Sequence, residues 1–189
     1  MKPSQSSVVC MTYANTSDSF TSFRQEFHPP KPPRAGLVKN EGEVIQMTYI
    51  DGLELWTAGT VAAPAAQPVL PMIVKAMESD KRLWAIRETD VVHAHEFCDF
   101  GKTLETGVIK HTNLTGGAPA YCAGELLFVD DATIVVNGCS GRYGPTSEAE
   151  MVAAAKSFRD SGYNVWTQGF DEEVGRPVPF FTLDPVWVG

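Results

Sequence analysis

His93, His95 and His111 are the residues whose types could hold a metal ion. If His93-Ala94-His95-Glu96 is a strand, its period of two puts both imidazoles on one face. A third ligand from a following strand would then complete a zinc or iron site with an open position. Histidines on a solvated strand face are the plainer reading, and no metal is assigned. A second set of reactive types lies between residues 111 and 147. His111 and Thr112 come first, Glu125 follows in an apolar stretch, and Ser140-Gly141-Arg142-Tyr143-Gly144-Pro145 leads to Ser147. A glycine-rich loop lets backbone amides and an arginine approach a phosphate, and a helix beginning at Ser147 adds a favourable dipole. Glu125 among apolar neighbours suits either a general base or an ion pair with Arg142. Catalytic roles are therefore expected for His111, Glu125 and Tyr143. Ligand binding is expected for Thr112, Ser140, Gly141, Arg142 and Ser147. Asp171-Glu172-Glu173 offers carboxylates that could polarise a sugar hydroxyl, with Arg87 or His111 on a cofactor, although charge runs are usually solvated.

The order His111-Thr112, a strand ending in Ala123-Gly124-Glu125, a hairpin, and Ser140-Gly141-Arg142-Tyr143-Gly144-Pro145 before a capped helix resembles a segment of bacterial polymorphic-toxin and effector-like proteins. The resemblance covers about residues 107–162. Arg142 stands where that pattern usually has histidine. A guanidinium does not release its proton near neutral pH, yet it binds anions at least as well as an imidazolium. The resemblance implies a toxin- or effector-like domain. Together with the anion-binding loop it leads to the expectation of an anionic small-molecule ligand, a nucleotide or NAD. A transferase of ADP-ribosyl type fits a compact β-rich domain of this size. Two alternatives stand beside it: a non-catalytic protein-binding or antagonist module, and a metal-dependent enzyme using His93, His95 and His111.

These residues need a scaffold, and the hydrophobic pattern suggests one. Glu43–Thr57, with Asp51-Gly52 at its centre, reads as a β-hairpin. Leu83–Arg87 and Asp90–Phe97 read as strands, as does Thr103–Lys110. Residues 58–71, with Pro64, Pro68 and Pro71, read as a loop, and Met72–Glu78 as a short helical turn. Tyr121–Val129 and Thr133–Val136 form a second hairpin. A two-residue Asp130-Asp131 turn there would set Cys122 opposite Cys139, Cβ atoms roughly 5 Å apart, as a cross-strand disulfide or simply two small buried side chains. One long helix starts at a capping box, Ser147 with Glu150, and ends at Gly162. Tyr163–Thr167 is a further strand, and Val178–Val188, with its prolines, an edge strand or covering segment. The expected fold is α+β, a mainly antiparallel sheet of about seven or eight strands with one long helix packed on it.

A chain of 189 residues with 43% hydrophobic content accommodates one core. Residues 1–42 read as a proline-rich arm and 43–189 as a single α+β domain. The net charge of −8 argues against a nucleic-acid partner. No apolar run reaches the roughly 18 residues of a membrane span, and the start leads into no signal-peptide stretch. A cytoplasmic location, or delivery into a target-cell cytoplasm, is expected. The four cysteines are too sparse for a disulfide framework.

Overall fold

The computed structural model describes residues 18–62 and 66–188; the chain start, Cys10 and Pro64 lie outside the described residues. In chain order the elements are α1 (Thr21–Glu26), β1 (Glu54–Leu55), β2 (Arg82–Ile86), β3 (Val91–His95), α2 (Asp99–Lys102), α3 (His111–Thr115), β4 (Cys122–Phe128), β5 (Thr133–Asn137), α4 (Glu148–Asp160), β6 (Asn164–Thr167), β7 (Phe170–Asp171), β8 (Arg176–Pro177) and β9 (Val186–Trp187). Seven strands make one sheet in the order β1-β3-β2-β4-β5-β6-β9, while β7 and β8 pair apart from it. Neighbours run antiparallel except β5 and β6, which α4 connects as a crossover. This is the expected α+β class, with one long helix on a mainly antiparallel sheet. No helix among the described residues is long and apolar enough to cross a membrane.

Alternation along the strands sends side chains to two faces, and each face has its own cover. Trp84, Ile86, Leu126, Ile134, Val136 and Val165 meet Met151, Ala154, Ala155 and Phe158 of α4. The helix begins where Ser147 Oγ accepts the Glu150 amide at 3.2 Å, and it closes at Gly162, whose φ of +98° suits glycine. Phe20 and Phe23, from the segment before residue 43, join this core, and the Phe20 ring meets Phe158 edge-on at 5.1 Å. On the opposite face Leu83, Ala85, Val92, Ala94 and Ala123 meet Met47, Ile109, Leu114 and Tyr143. Further along that face, Leu127, Val135 and Trp166 lie under Phe180. We call residues 177–184, which carry this phenylalanine, the strap.

Several local expectations are corrected. Residues 43–57 form no hairpin: 3-10 turns at Glu41–Val44 and Tyr49–Asp51 precede the two-residue β1, which pairs with β3. Asp51 accepts the Thr48 amide and hydroxyl at 2.8 Å each, and this local capping replaces the turn that would fold the strand back. Thr103–Lys110 is not a strand. Gly101 there packs so closely against the Val108 backbone that a Cβ would lie 3.0 Å from it, and Gly107 sits at φ +70°, so the segment turns instead. The helical turn expected over Met72–Glu78 is a 3-10 helix at Lys75–Asp80. Four residues, not two, connect β4 to β5, and Glu125 pairs with Asn137, a register one residue away from the one that would set Cys122 opposite Cys139. Cys122 and Cys139 are free thiols.

Candidate functional site

The metal reading dissolves on geometry. His93 and His95 share a face of β3, and Arg82 of β2 reaches both, with Nη1 2.9 Å from His93 Nδ1 and Nη2 2.8 Å from His95 Nε2. A guanidinium can only donate, so it occupies the very lone pairs a metal would need. Glu54 completes the arrangement with an ion pair to Arg82 at 2.7 Å. Burial first, and then the Arg82 charge, push the His93 pKa down to about 4. His111 belongs to the layer on the opposite face, and no group of three or more His, Cys, Asp or Glu side chains able to hold a metal occurs among the described residues.

His111 is the first residue of α3 and is buried; its Nε2 donates to the Gly124 carbonyl at 2.8 Å. That bond fixes the tautomer, because a carbonyl only accepts, and burial lowers the imidazole pKa to about 4. Asn113 secures α3 by accepting the Lys110 amide at 2.8 Å and donating to the Gly42 and Ile45 carbonyls at 2.9 Å. Thr112 is fully buried and its Oγ1 lacks a partner. Tyr143 donates to the Ala118 carbonyl at 2.9 Å and meets Thr115 Oγ1 at 2.9 Å, and burial raises its pKa. The expected catalytic pair His111 and Tyr143 thus ties α3 to the sheet and to the loop after β5.

The loop expected to cradle phosphate is closed on itself. Ser140 Oγ accepts the Tyr143 amide at 3.1 Å, and the Ser140 carbonyl accepts Gly144 at 3.0 Å. A Cβ at Gly144 would collide with that same carbonyl, so the turn requires glycine. Arg142 does not pair with Glu125. Its Nη2 binds the buried carboxylate of Glu43 and donates to the Leu37 carbonyl at 2.7 Å, while Nε is buried without a partner. Gly141 packs beside Leu37. At the α4 N-terminus the anion is the protein's own: Glu150 accepts the Thr146 amide at 2.8 Å and is paired with Lys31. Ser147 is spent on the cap. Arg87 is likewise engaged, with Asp90 at 2.6 Å and the Leu114 carbonyl at 2.9 Å, and Glu172 and Glu173 are solvent-exposed in the β7–β8 turn.

Glu125 differs from these residues because it opens onto a cleft. Its Oε1 takes a hydrogen bond from Lys81 Nζ at 2.7 Å and its Oε2 one from Asn137 Nδ2 at 3.0 Å. Lys81 also meets Glu96 at 2.9 Å. Burial alone would lower the Lys81 pKa, but the hydrogen bond and charge of Glu125, then those of Glu96, outweigh it and raise it. Asn137 Oδ1 in turn accepts the Glu125 amide at 3.1 Å and the Cys139 amide at 2.9 Å. The cleft, about 270 Å³, is lined by Lys75, Lys81, Glu125, Cys139, Phe180 and Phe181 among others. Burial, followed by the Glu125 charge, pushes the Cys139 thiol up to about 12, so it is no nucleophile at neutral pH. Lys75 stands 5.4 Å over the Phe181 ring. Sequence reasoning missed Lys75, Lys81, Phe180 and Phe181. The aromatic, proline-bearing tail was the one signal that could have pointed to them.

The fold and this cleft define an α+β domain with a small polar-aromatic site on the sheet face away from α4. Comparison with protein-family models, curated proteins and solved structures finds no match.

Proposed function

We propose that the domain binds an anionic small molecule of the nucleotide or NAD class in the cleft between the strap and the Lys81–Glu125 pair. The observation that carries this reading is the lining itself: Glu125 opens there beside Lys75 and two phenylalanines. Lys81 is committed to two carboxylates. Among the described residues Lys75 pairs only with Glu78, at 2.6 Å, and both side chains are exposed, an arrangement worth about 0–1 kcal/mol. Lys75 is therefore the cation able to turn to a ligand phosphate, and the phenylalanines supply stacking surface. Glu125, held as an acceptor by Lys81 and Asn137, is placed to take a hydrogen bond from a ligand hydroxyl, the role an ADP-ribosyl-type transfer asks of it. The resemblance of residues 107–162 supports a toxin- or effector-like setting. Thermal-shift measurements with NAD, ADP-ribose and nucleoside phosphates test the reading, since a ligand of the folded state raises the melting temperature. A shift that falls about tenfold in apparent affinity in Lys75→Met is expected; the absence of any shift contradicts it.

A second reading, the protein-binding module, has its own observation. Tyr49 and Ile50, 83% and 82% exposed, lie with Leu55 and Phe97 around the β1 edge. They line two adjoining clefts, Tyr49 and Leu55 in one and Ile50 and Phe97 in the other. Exposed apolar patches of this kind mark interaction surfaces. The net charge of −8 favours a basic, apolar partner over a second copy. Peptides panned against the domain should be enriched in lysine or arginine flanking apolar residues, and Ile50→Ser with Phe97→Ser should abolish the enrichment.

A further inference from the structure

β6 and the residue after it, next to the strap, carry the most unmatched buried polar atoms among the described residues. Gln168 is 5% exposed, and neither its Nε2 nor its Oε1 has a hydrogen-bond partner. Trp166, on the same face of β6, has a buried Nε1 with no partner. The β5–β6 ladder continues one residue past the strand, from the Gln168 amide to the Val136 carbonyl at 3.0 Å, so Gln168 follows Trp166 and stands next to Asn137. Glu125, Asn137 and Gln168 thus form a polar row across β4, β5 and the end of β6. Asn137 bonds the Glu125 carboxylate and the Glu125 and Cys139 amides, whereas at the end of the row neither the NH2 nor the oxygen of the Gln168 amide has a partner. Buried amide groups left unmatched are costly, and an apolar side chain would fill the same space without that cost.

The strap itself is strained at Phe181. Phe181 has φ +65°, the one non-glycine residue with positive φ among those described, a conformation unfavourable for a bulky side chain. Its ring, under Lys75, separates the 270 Å³ cleft from a larger one of about 800 Å³, and both are lined by Lys75 and Phe181. Beyond the β7–β8 ladder that ends at Pro177, the polar bonds that hold the strap among the described residues are the Val178 amide to the Gly169 carbonyl at 3.2 Å, and Cys139 Sγ to the Pro177 carbonyl at 3.9 Å. Phe181 is thus the residue through which a change in the strap would alter both clefts.

We infer that the strap is the closed cover of a recognition site in which Gln168 reads a planar group carrying a donor beside an acceptor, a carboxamide or nucleobase edge, stacked on Phe180 and Phe181. The inference rests on the small-molecule reading proposed above and names the part of the ligand that is read. A side-chain amide matches such an edge with two parallel hydrogen bonds, while the Trp166 indole adds a further donor. The phosphate end of the same ligand would face Lys75.

The test uses the full chain with nicotinamide, adenine and uracil as phosphate-free probes and ribose 5-phosphate as a base-free one, read by melting temperature and tryptophan emission. The Trp166 and Trp187 rings, 5.2 Å apart beside the strap, report on the site. At least one base should raise the melting temperature and change the emission. Gln168→Met should abolish that response while melting no lower than the wild type, and should leave the response to ribose 5-phosphate intact. If Gln168→Met does not fold, Gln168→Glu, which keeps the volume but loses the donor, should weaken base binding at least tenfold. A base response unchanged in either variant overturns the inference and assigns the Gln168 partner to buried water. A response to ribose 5-phosphate with none to any base overturns it while leaving the nucleotide reading in place, and silence from all four probes overturns both.

Discussion

The loop at residues 138–147 and the cleft beneath the strap face the same problem, how to satisfy polar groups beside a packed sheet, and they solve it differently. In the loop, the protein supplies its own partners to all of the expected ligand-binding groups but Arg142 Nε. Glu43 meets Arg142, Ser140 meets the Tyr143 amide, and Glu150 sits at the α4 N-terminus where a phosphate was expected. Beneath the strap, Gln168 and Trp166 are left open and Lys75 holds a weak exposed partner. Residue types of the right chemistry therefore mark a site only when their hydrogen-bonding capacity is unspent.

The largest effect that would break this contrast comes from Glu43→Ala. It strands the Arg142 guanidinium in a buried setting and should cost about 3–5 kcal/mol in a denaturant titration. A loss below about 1 kcal/mol would mean that Arg142 is not committed to the loop. Acid titration comes next. His111 has its folded pKa lowered from 6.5 to about 4, so its contribution is complete above pH 6.5 and drains away as pH falls toward 4. The unfolded chain takes up the proton first, which removes about 3 kcal/mol across that window. The wild type should lose stability there more steeply than His111→Gln. His93, lowered to about 4 by burial and the Arg82 charge, adds in the same direction, so the comparison must be made by variant. The smallest effect separates structure from binding: Ser140→Ala should cost about 1 kcal/mol, the worth of one hydrogen bond to a backbone amide, and leave ligand affinity unchanged. Any loss of affinity would return the ligand to the loop.

The sequence made the rigid parts legible. The cap at Ser147, the apolar stripe of α4 and the glycine at 162 are local signals, and strands β2 to β6 declare themselves through alternation and β-branched content. The Glu43–Thr57 segment misled because Asp51 has a local use, capping Thr48, that the Asp-Gly signal does not distinguish from a hairpin turn. Glu125 was legible as a carboxylate in an apolar strand. Its partner was not, because Lys81 and Arg142 lie 44 and 17 residues away and only the β2–β4 pairing brings the first within reach. Gln168 gave no signal in sequence at all. A glutamine after a strand is ordinary until the fold buries it without a partner.

The most direct measurement is NMR chemical-shift mapping of the isotope-labelled full chain titrated with ADP-ribose. The account predicts that the largest changes fall at Lys75, Lys81, Cys139, Gln168, Phe180 and Phe181, with residues 140–147 unmoved. Changes centred on Arg142, Gly144 and Ser147, with the strap silent, would contradict it.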